Sequence, residues 1–167
     1  TEVIMAMPES VPGIVIVQHM PPMFTRSFAN RLNEMVRVRV EEAEQGDRVL
    51  RGTVYIAPGG RHMAVRRDGA MYSIDLSDGP PVIFVKPAVD ILFRSVAKYA
   101  GKNAFGVILT GMGDDGARGL VKMRQKGAFV LGQNEGSCVV YGMPKAALMA
   151  GGVDAETDIL HMAEMLG

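Results

Sequence analysis

His19, in "VQHMPP" (17–22), and the paired carboxylates Asp114 and Asp115, in "GMGDDG" (111–116), have the types and setting to do chemistry. A carboxylate that accepts the Nδ1–H of an imidazole fixes its tautomer and stabilises the imidazolium, so His19 with one of these aspartates would make a general base. Such a base needs a nucleophile within ~3 Å. None is obvious. Ser27 and Ser95 fall inside helical patterns, Ser73 in a hairpin, and Ser10 and Ser77 in loops; no G-x-S-x-G elbow exists. Ser137 and Cys138 follow a strand end, and Cys138 could pair with His19 as a thiol hydrolase. A lone cysteine is, however, more often a small buried apolar residue. His62 is a weaker candidate base, and His161 reads as a surface residue of a terminal helix.

"GMGDDG" supports other readings. Gly111, Gly113 and Gly116 satisfy the dinucleotide pattern G-x-G-x-x-G, with Glu135 ~20 residues further on where a ribose-binding acid belongs. This would make the chain a nucleotide-binding module. Two aspartates, however, would occupy the helix N-terminus that ought to attract a phosphate. In a third reading Asp114 or Asp115 merely caps the helix starting at Ala117.

The elements around these residues alternate between strand and helix. "GIVIV" (13–17) is a β-branched run without alternation, expected to be covered on both faces. A helix from Met23 would turn Phe24, Phe28, Leu32 and Met35 inward. "VRVRVEEA" (36–43) and "GTVYIAPGG" (52–60) read as strands, and Asp68-Gly69 as the turn of an antiparallel hairpin. A helix from Pro87 carries the stripe Val89, Leu92, Phe93, Val96 and Ala97, and stops near Gly101. Strands over 104–109 and 128–132 follow, then two short helices within "MPKAALMAGG" and "DILHMAEML". The expected class is α/β, a doubly wound and mostly parallel sheet with helices on both faces and an antiparallel hairpin insertion. Ligands bind such sheets beyond the carboxyl ends of the strands. His19 and "GMGDDG" both lie there.

The totals narrow the class further. At 167 residues the chain fits one domain, 1–167. Lys plus Arg equals Asp plus Glu at 18 each, without a basic run, which argues against nucleic acid as a partner. No apolar stretch approaches the ~20 residues of a membrane span. The single Cys138 excludes an internal disulfide and suits a reducing, cytoplasmic setting. The 13 Met read as packing residues.

Taken together, "VQHMPPMFTRSFANRLN" (17–33), "YIAPGGRHM" (55–63), "PAVDILFRSVA" (87–97), "GVILTGMGDDGARGL" (106–120) and "QNEGSCVVYGMPKAAL" (133–148) resemble the catalytic domain of the chemotaxis protein-glutamate methylesterases. The resemblance covers most of the chain in the family's order. It implies a Ser–His–Asp hydrolase needing no metal or organic cofactor, in which His19 is the histidine and Asp115 the aspartate. Met112 would line the site and lend its backbone N–H to an oxyanion. The implied reaction is hydrolysis of glutamyl methyl esters, with glutamine deamidation, on the cytoplasmic region of methyl-accepting chemoreceptors. An upstream receiver domain and its histidine kinase are the implied regulatory partners.

Two departures accompany the resemblance. The family's serine lies in a G-A-S-T-G-G turn after its first strand, which would precede Thr1; the chain is therefore expected to lack that strand and turn, and to be inactive alone. Ile83, Phe84 and Val85 stand where the family commonly has more polar residues, which bears on substrate contacts.

Overall fold

A computed structural model describes residues 1–82 and 85–166, so Ile83 and Phe84 of the second departure lie outside the described residues. The chain folds into two compact units, Thr1–Ala88 and Val89–Leu166.

In the first unit, α1 (Glu2–Met5) is followed by β1 (Ile14–Ile16), α2 (Pro22–Met35), β2 (Arg39–Glu42) and β3 (Thr53–Ile56). The three strands form a parallel sheet in the order β1-β3-β2. Central β3 is buried along its whole length, as a β-branched and aromatic run with a neighbour on each side should be. By contrast, β1 is half-buried at the sheet edge, not covered on both faces as its composition suggested. Helix α2 also departs from expectation. It buries Thr25, Ala29 and Leu32, while Phe24 and Met35 are 54% and 49% exposed. Apolar spacing located the helix but misjudged which stripe faces inward, because Thr25 finds buried hydrogen-bond partners and so can be inside.

β4 (His62–Asp68) and β5 (Met71–Ser77) form the expected antiparallel hairpin. Its turn falls one residue later than Asp68-Gly69, because Asp68 still pairs with Met71. Gly69, at φ +63°, takes the first loop position, which favours glycine in a two-residue hairpin.

The second unit runs α3 (Val89–Tyr99), β6 (Phe105–Ile108), α4 (Ala117–Gln125), β7 (Phe129–Gln133), α5 (Met143–Met149), β8 (Ala155–Thr157) and α6 (Ile159–Leu166). Its parallel sheet has the order β6-β7-β8, with α4 connecting the first pair and α5 the second. Leu120, Met123, Val130 and Leu131 are fully buried at the centre of this unit. Strand β8 was not legible in the sequence: Ala-Glu-Thr has little strand character, and it forms by pairing with β7 from Leu131↔Ala155 to Gln133↔Thr157. The α/β class, with parallel sheets and an antiparallel hairpin, is as expected.

Candidate active site

Two turns carry the candidate residues, one in each unit. In the first unit, His19 lies beyond the carboxyl end of β1, exposed, in the turn that leads into α2. Pro22 opens α2, a position where its missing N–H costs nothing and its fixed φ suits the helix. The turn is seated on the one that follows β3. A Cβ on Gly59 would stand 2.5 Å from the Pro21 carbonyl carbon and 2.6 Å from both the Met20 oxygen and the Pro22 nitrogen. These are backbone atoms, so no side chain could move aside. "APGG" therefore has a glycine because main chain lies on main chain beneath His19.

Polar contacts secure the same seat. Buried Thr25 accepts a hydrogen bond from Gly59 N–H (3.1 Å) and donates to Glu42 Oε2 (2.5 Å), while Arg26 pairs with Glu42 Oε1. Glu42, at the end of β2, thus holds α2 through Thr25 and Arg26, and the Thr25 hydroxyl ties α2 to the turn after β3. Neither Thr25 nor Glu42 was singled out from the sequence, where both look like ordinary surface residues.

His62 is a structural histidine. Its ring is buried, Nδ1 accepts from Ala88 N–H (3.1 Å), and Nε2 donates to the Pro80 carbonyl (2.8 Å). Accepting at one nitrogen and donating at the other requires the neutral ring with hydrogen on Nε2. His62 thereby holds both ends of the 80–88 loop. As expected, His161 is at the surface, where its Nδ1 pairs with Asp158.

In the second unit, Asp115 is buried and Asp114 exposed. Neither caps α4. The N-cap is Gly116, whose φ of +96° is a left-handed backbone that other residues adopt only with strain. Asp115 instead caps α3: Oδ2 accepts from Val89 N–H (2.7 Å) and Oδ1 from Asp90 N–H (3.0 Å). The N-terminal dipole of α3 favours the negative charge there. Asp90 returns the favour to α4. Its Oδ1 accepts from Gly119 N–H (2.6 Å), and its Oδ2 takes Arg94 Nε (2.5 Å). Each helix is therefore capped by a carboxylate that belongs to the start of the other. Sequence reasoning missed Asp90, since an acid in a first helical turn ordinarily faces solvent.

This arrangement answers the nucleotide reading. A phosphate on "GMGDDG" would need the first N–H groups of α4. Ala117 N–H already donates to the Asp114 carbonyl, Gly119 N–H to Asp90 and Leu120 N–H to the Gly116 carbonyl. A buried carboxylate holds the place a phosphate would take.

The turn after β6 is also stitched to the loop after β7. Gln133, buried, accepts from Thr110 N–H (2.8 Å) and donates to the Ser137 carbonyl (2.8 Å). Thr110 Oγ1 accepts from Val140 N–H (2.8 Å) and donates to the Val140 carbonyl (3.1 Å), and Gly111 N–H donates to that same carbonyl. Met112 is 80% exposed on the outer side of this ladder. The alternative nucleophiles are engaged elsewhere. Ser137 Oγ donates to Asn134 Oδ1 (2.7 Å) in a 3₁₀ turn, and burial pushes the Cys138 thiol up, partly offset by a hydrogen bond with Thr110. A raised thiol is a poor nucleophile at neutral pH.

The model of the CheB methylesterase family matches residues 1–166. The chain belongs to that family. It is 54% identical over 164 residues to a protein-glutamate methylesterase/protein-glutamine glutaminase of Pectobacterium atrosepticum, across 98% of this chain and 47% of that protein. The Escherichia coli K12 protein of the same name is 56% identical over 164 residues, again across 47% of its length. The chain thus spans about half the length of these curated relatives. Its fold superimposes on the Thermotoga maritima CheB methylesterase catalytic domain with a TM-score of 0.95 and 37% identity, covering 99% of this chain and 88% of that one. Among the described residues, no cluster of His, Cys, Asp or Glu could hold a metal ion, and no helix is long and apolar enough to cross a membrane.

Proposed function

We propose that residues 1–167 form the catalytic domain of a protein-glutamate methylesterase that hydrolyses glutamyl methyl esters, and deamidates glutamines, on the cytoplasmic region of methyl-accepting chemoreceptors. The observation that carries this reading is the family match over 1–166, which takes in both the "QHMPP" and "GMGDDG" turns. The relatives' names cover both reactions. The protein is proposed to work in the cytoplasm, under an upstream receiver domain and its histidine kinase.

In the proposed mechanism the nucleophile is a serine in the family's G-A-S-T-G-G turn, upstream of Thr1. Its Oγ attacks the ester carbonyl while His19 takes the hydroxyl proton, and the carbonyl π electrons move onto oxygen. Asp115 stays ionised and orients the imidazole. The Met112 backbone N–H donates to the oxyanion, a contribution of ~3 kcal/mol for such a donor. The tetrahedral intermediate expels the methoxy group, which leaves as methanol with the proton from His19. Water then attacks the acyl-enzyme, again through His19, and releases the receptor glutamate and free serine.

The test is methanol release from methylated receptor by the full-length protein. His19→Ala and Asp115→Asn should each lower kcat by about three to four orders of magnitude, with far-ultraviolet circular dichroism unchanged. Wild-type rates in both variants would end this reading.

A further inference from the structure

We propose that Asp90 is a positioning residue for hydrolysis, acting through Asp115; this rests on the assignment of Asp115 above. The two carboxylates form a closed loop of hydrogen bonds. Asp115 accepts from the N–H of Val89 and of Asp90 itself, so the first turn of α3 sets the plane of the Asp115 carboxylate. Asp90 then reaches to α4, the helix that Asp115's own turn leads into, and accepts from Gly119 N–H. Moving the Asp115 main chain relative to α3 would stretch three bonds of 2.7, 3.0 and 2.6 Å together. Both carboxylates are buried, so water does not readily replace a lost acceptor.

Packing supports the same conclusion. A Cβ on Gly119 would lie 2.7 Å from Phe93 Cβ and 3.0 Å from Asp90 Oδ1, so α4 meets α3 where Asp90 binds it. Arg94, half-exposed, fixes the second oxygen of Asp90 and leaves Oδ1 aimed at Gly119. Orienting groups in catalysis must be held within about 0.5 Å. Asp90 is the side chain that supplies this constraint from α3.

The experiment is a double-mutant cycle in the full-length protein, reading kcat, KM and the pH profile of kcat/KM for methanol release. Asp90→Ala should lower kcat at least tenfold with KM within twofold, and should displace the acid limb of the kcat/KM profile. Asp90→Asn, whose amide oxygen can still accept from Gly119 N–H, should retain kcat within about threefold and keep the wild-type limb. The variant Asp90→Ala/Asp115→Asn should be no slower than Asp115→Asn alone. If Asp90→Ala does not fold, Asp90→Glu replaces it; its carboxylate is one methylene too long for the same bond, and kcat should fall severalfold at unchanged KM. Fully additive losses, or wild-type kcat and limb in the folded Asp90→Ala or Asp90→Glu variant, overturn the positioning role. A wild-type rate in Asp115→Asn instead overturns the assignment of Asp115, which separates the two failures.

Discussion

The turn after β1, bearing His19, and the turn after β6, bearing Asp115, are built by different physics. The first rests on exclusion: Gly59 lets the main chain of one turn lie directly on the main chain of another, and a single buried hydroxyl, Thr25, pins the contact. The second rests on polar saturation. Its aspartate, the α4 N–H groups, Thr110 and Gln133 are joined by hydrogen bonds to α3 and to the loop after β7. The exposed imidazole of His19 rides on a rigid platform. A buried carboxylate must have every lone pair directed, because unsatisfied polar groups inside a protein cost ~1–3 kcal/mol each.

The contrast should appear most strongly on removing each functional side chain. His19→Ala is expected to abolish turnover while leaving the chemical denaturation midpoint close to wild type. Asp115→Ala should abolish turnover and also destabilise the fold by roughly 2–4 kcal/mol, because two buried helix N–H groups lose their acceptor. Equal stability losses in urea titrations would erase the distinction between the two turns.

Glycine substitutions test the same contrast at smaller amplitude. Gly59→Ala puts a methyl group against three immovable backbone atoms and should cost about 3 kcal/mol. Gly116→Ala meets the side chains of Val89 and Phe93, which can yield, so the left-handed φ dominates at about 1–2 kcal/mol. Thermal melts in which Gly116→Ala is the more damaging would show that backbone conformation outweighs close approach here.

Smaller still are two titrations in the second unit. Glu156 accepts the Tyr141 hydroxyl hydrogen bond (2.5 Å) and holds the phenol's pKa up at about 12. The proton is therefore retained well above the ordinary range, and ultraviolet titration of wild type minus Tyr141→Phe should show a midpoint near that value. A difference midpoint near that of free tyrosine would remove this link from the network.

At the start of α6, Asp158 accepts from His161 N–H (2.9 Å), which holds its carboxyl below the usual range, and its hydrogen bond to the ring pushes His161 up. The signs are opposite. The support from Asp158 is lost as pH falls through its lowered value, and that from His161 as pH rises through its raised value. Amide exchange in α6 should thus be slowest, relative to Asp158→Ala, between about pH 4 and 6.5. A pH-independent ratio would show that the pair does nothing for the helix.

Much of this was legible in one dimension. The β-branched runs, the Asp-Gly hairpin and the 3.6-residue stripe of α3 are local signals, and their elements formed close to the expected places, although β2 starts at Arg39, three residues inside the expected 36–43. Less legible was α2, where amphipathic spacing named Phe24 and Met35 as core while the helix buries Thr25 and Ala29. A hydroxyl can be interior only if partners meet it there, and Gly59 and Glu42 come from distant parts of the chain. For the same reason β8 was invisible: Ala-Glu-Thr is a strand only because β7 offers it a ladder.

By itself the sequence determined the α/β class, the two turns proposed to carry chemistry and, through its motifs, the family. The tertiary structure alone decided what the acidic residues do. Asp115 looks like a cap for the helix it precedes, yet it caps α3, while Asp90 caps α4 in exchange. Spacing along the chain encodes local geometry, but a carboxylate binds whichever N–H groups packing brings within about 3 Å, and that choice is made only when the helices meet.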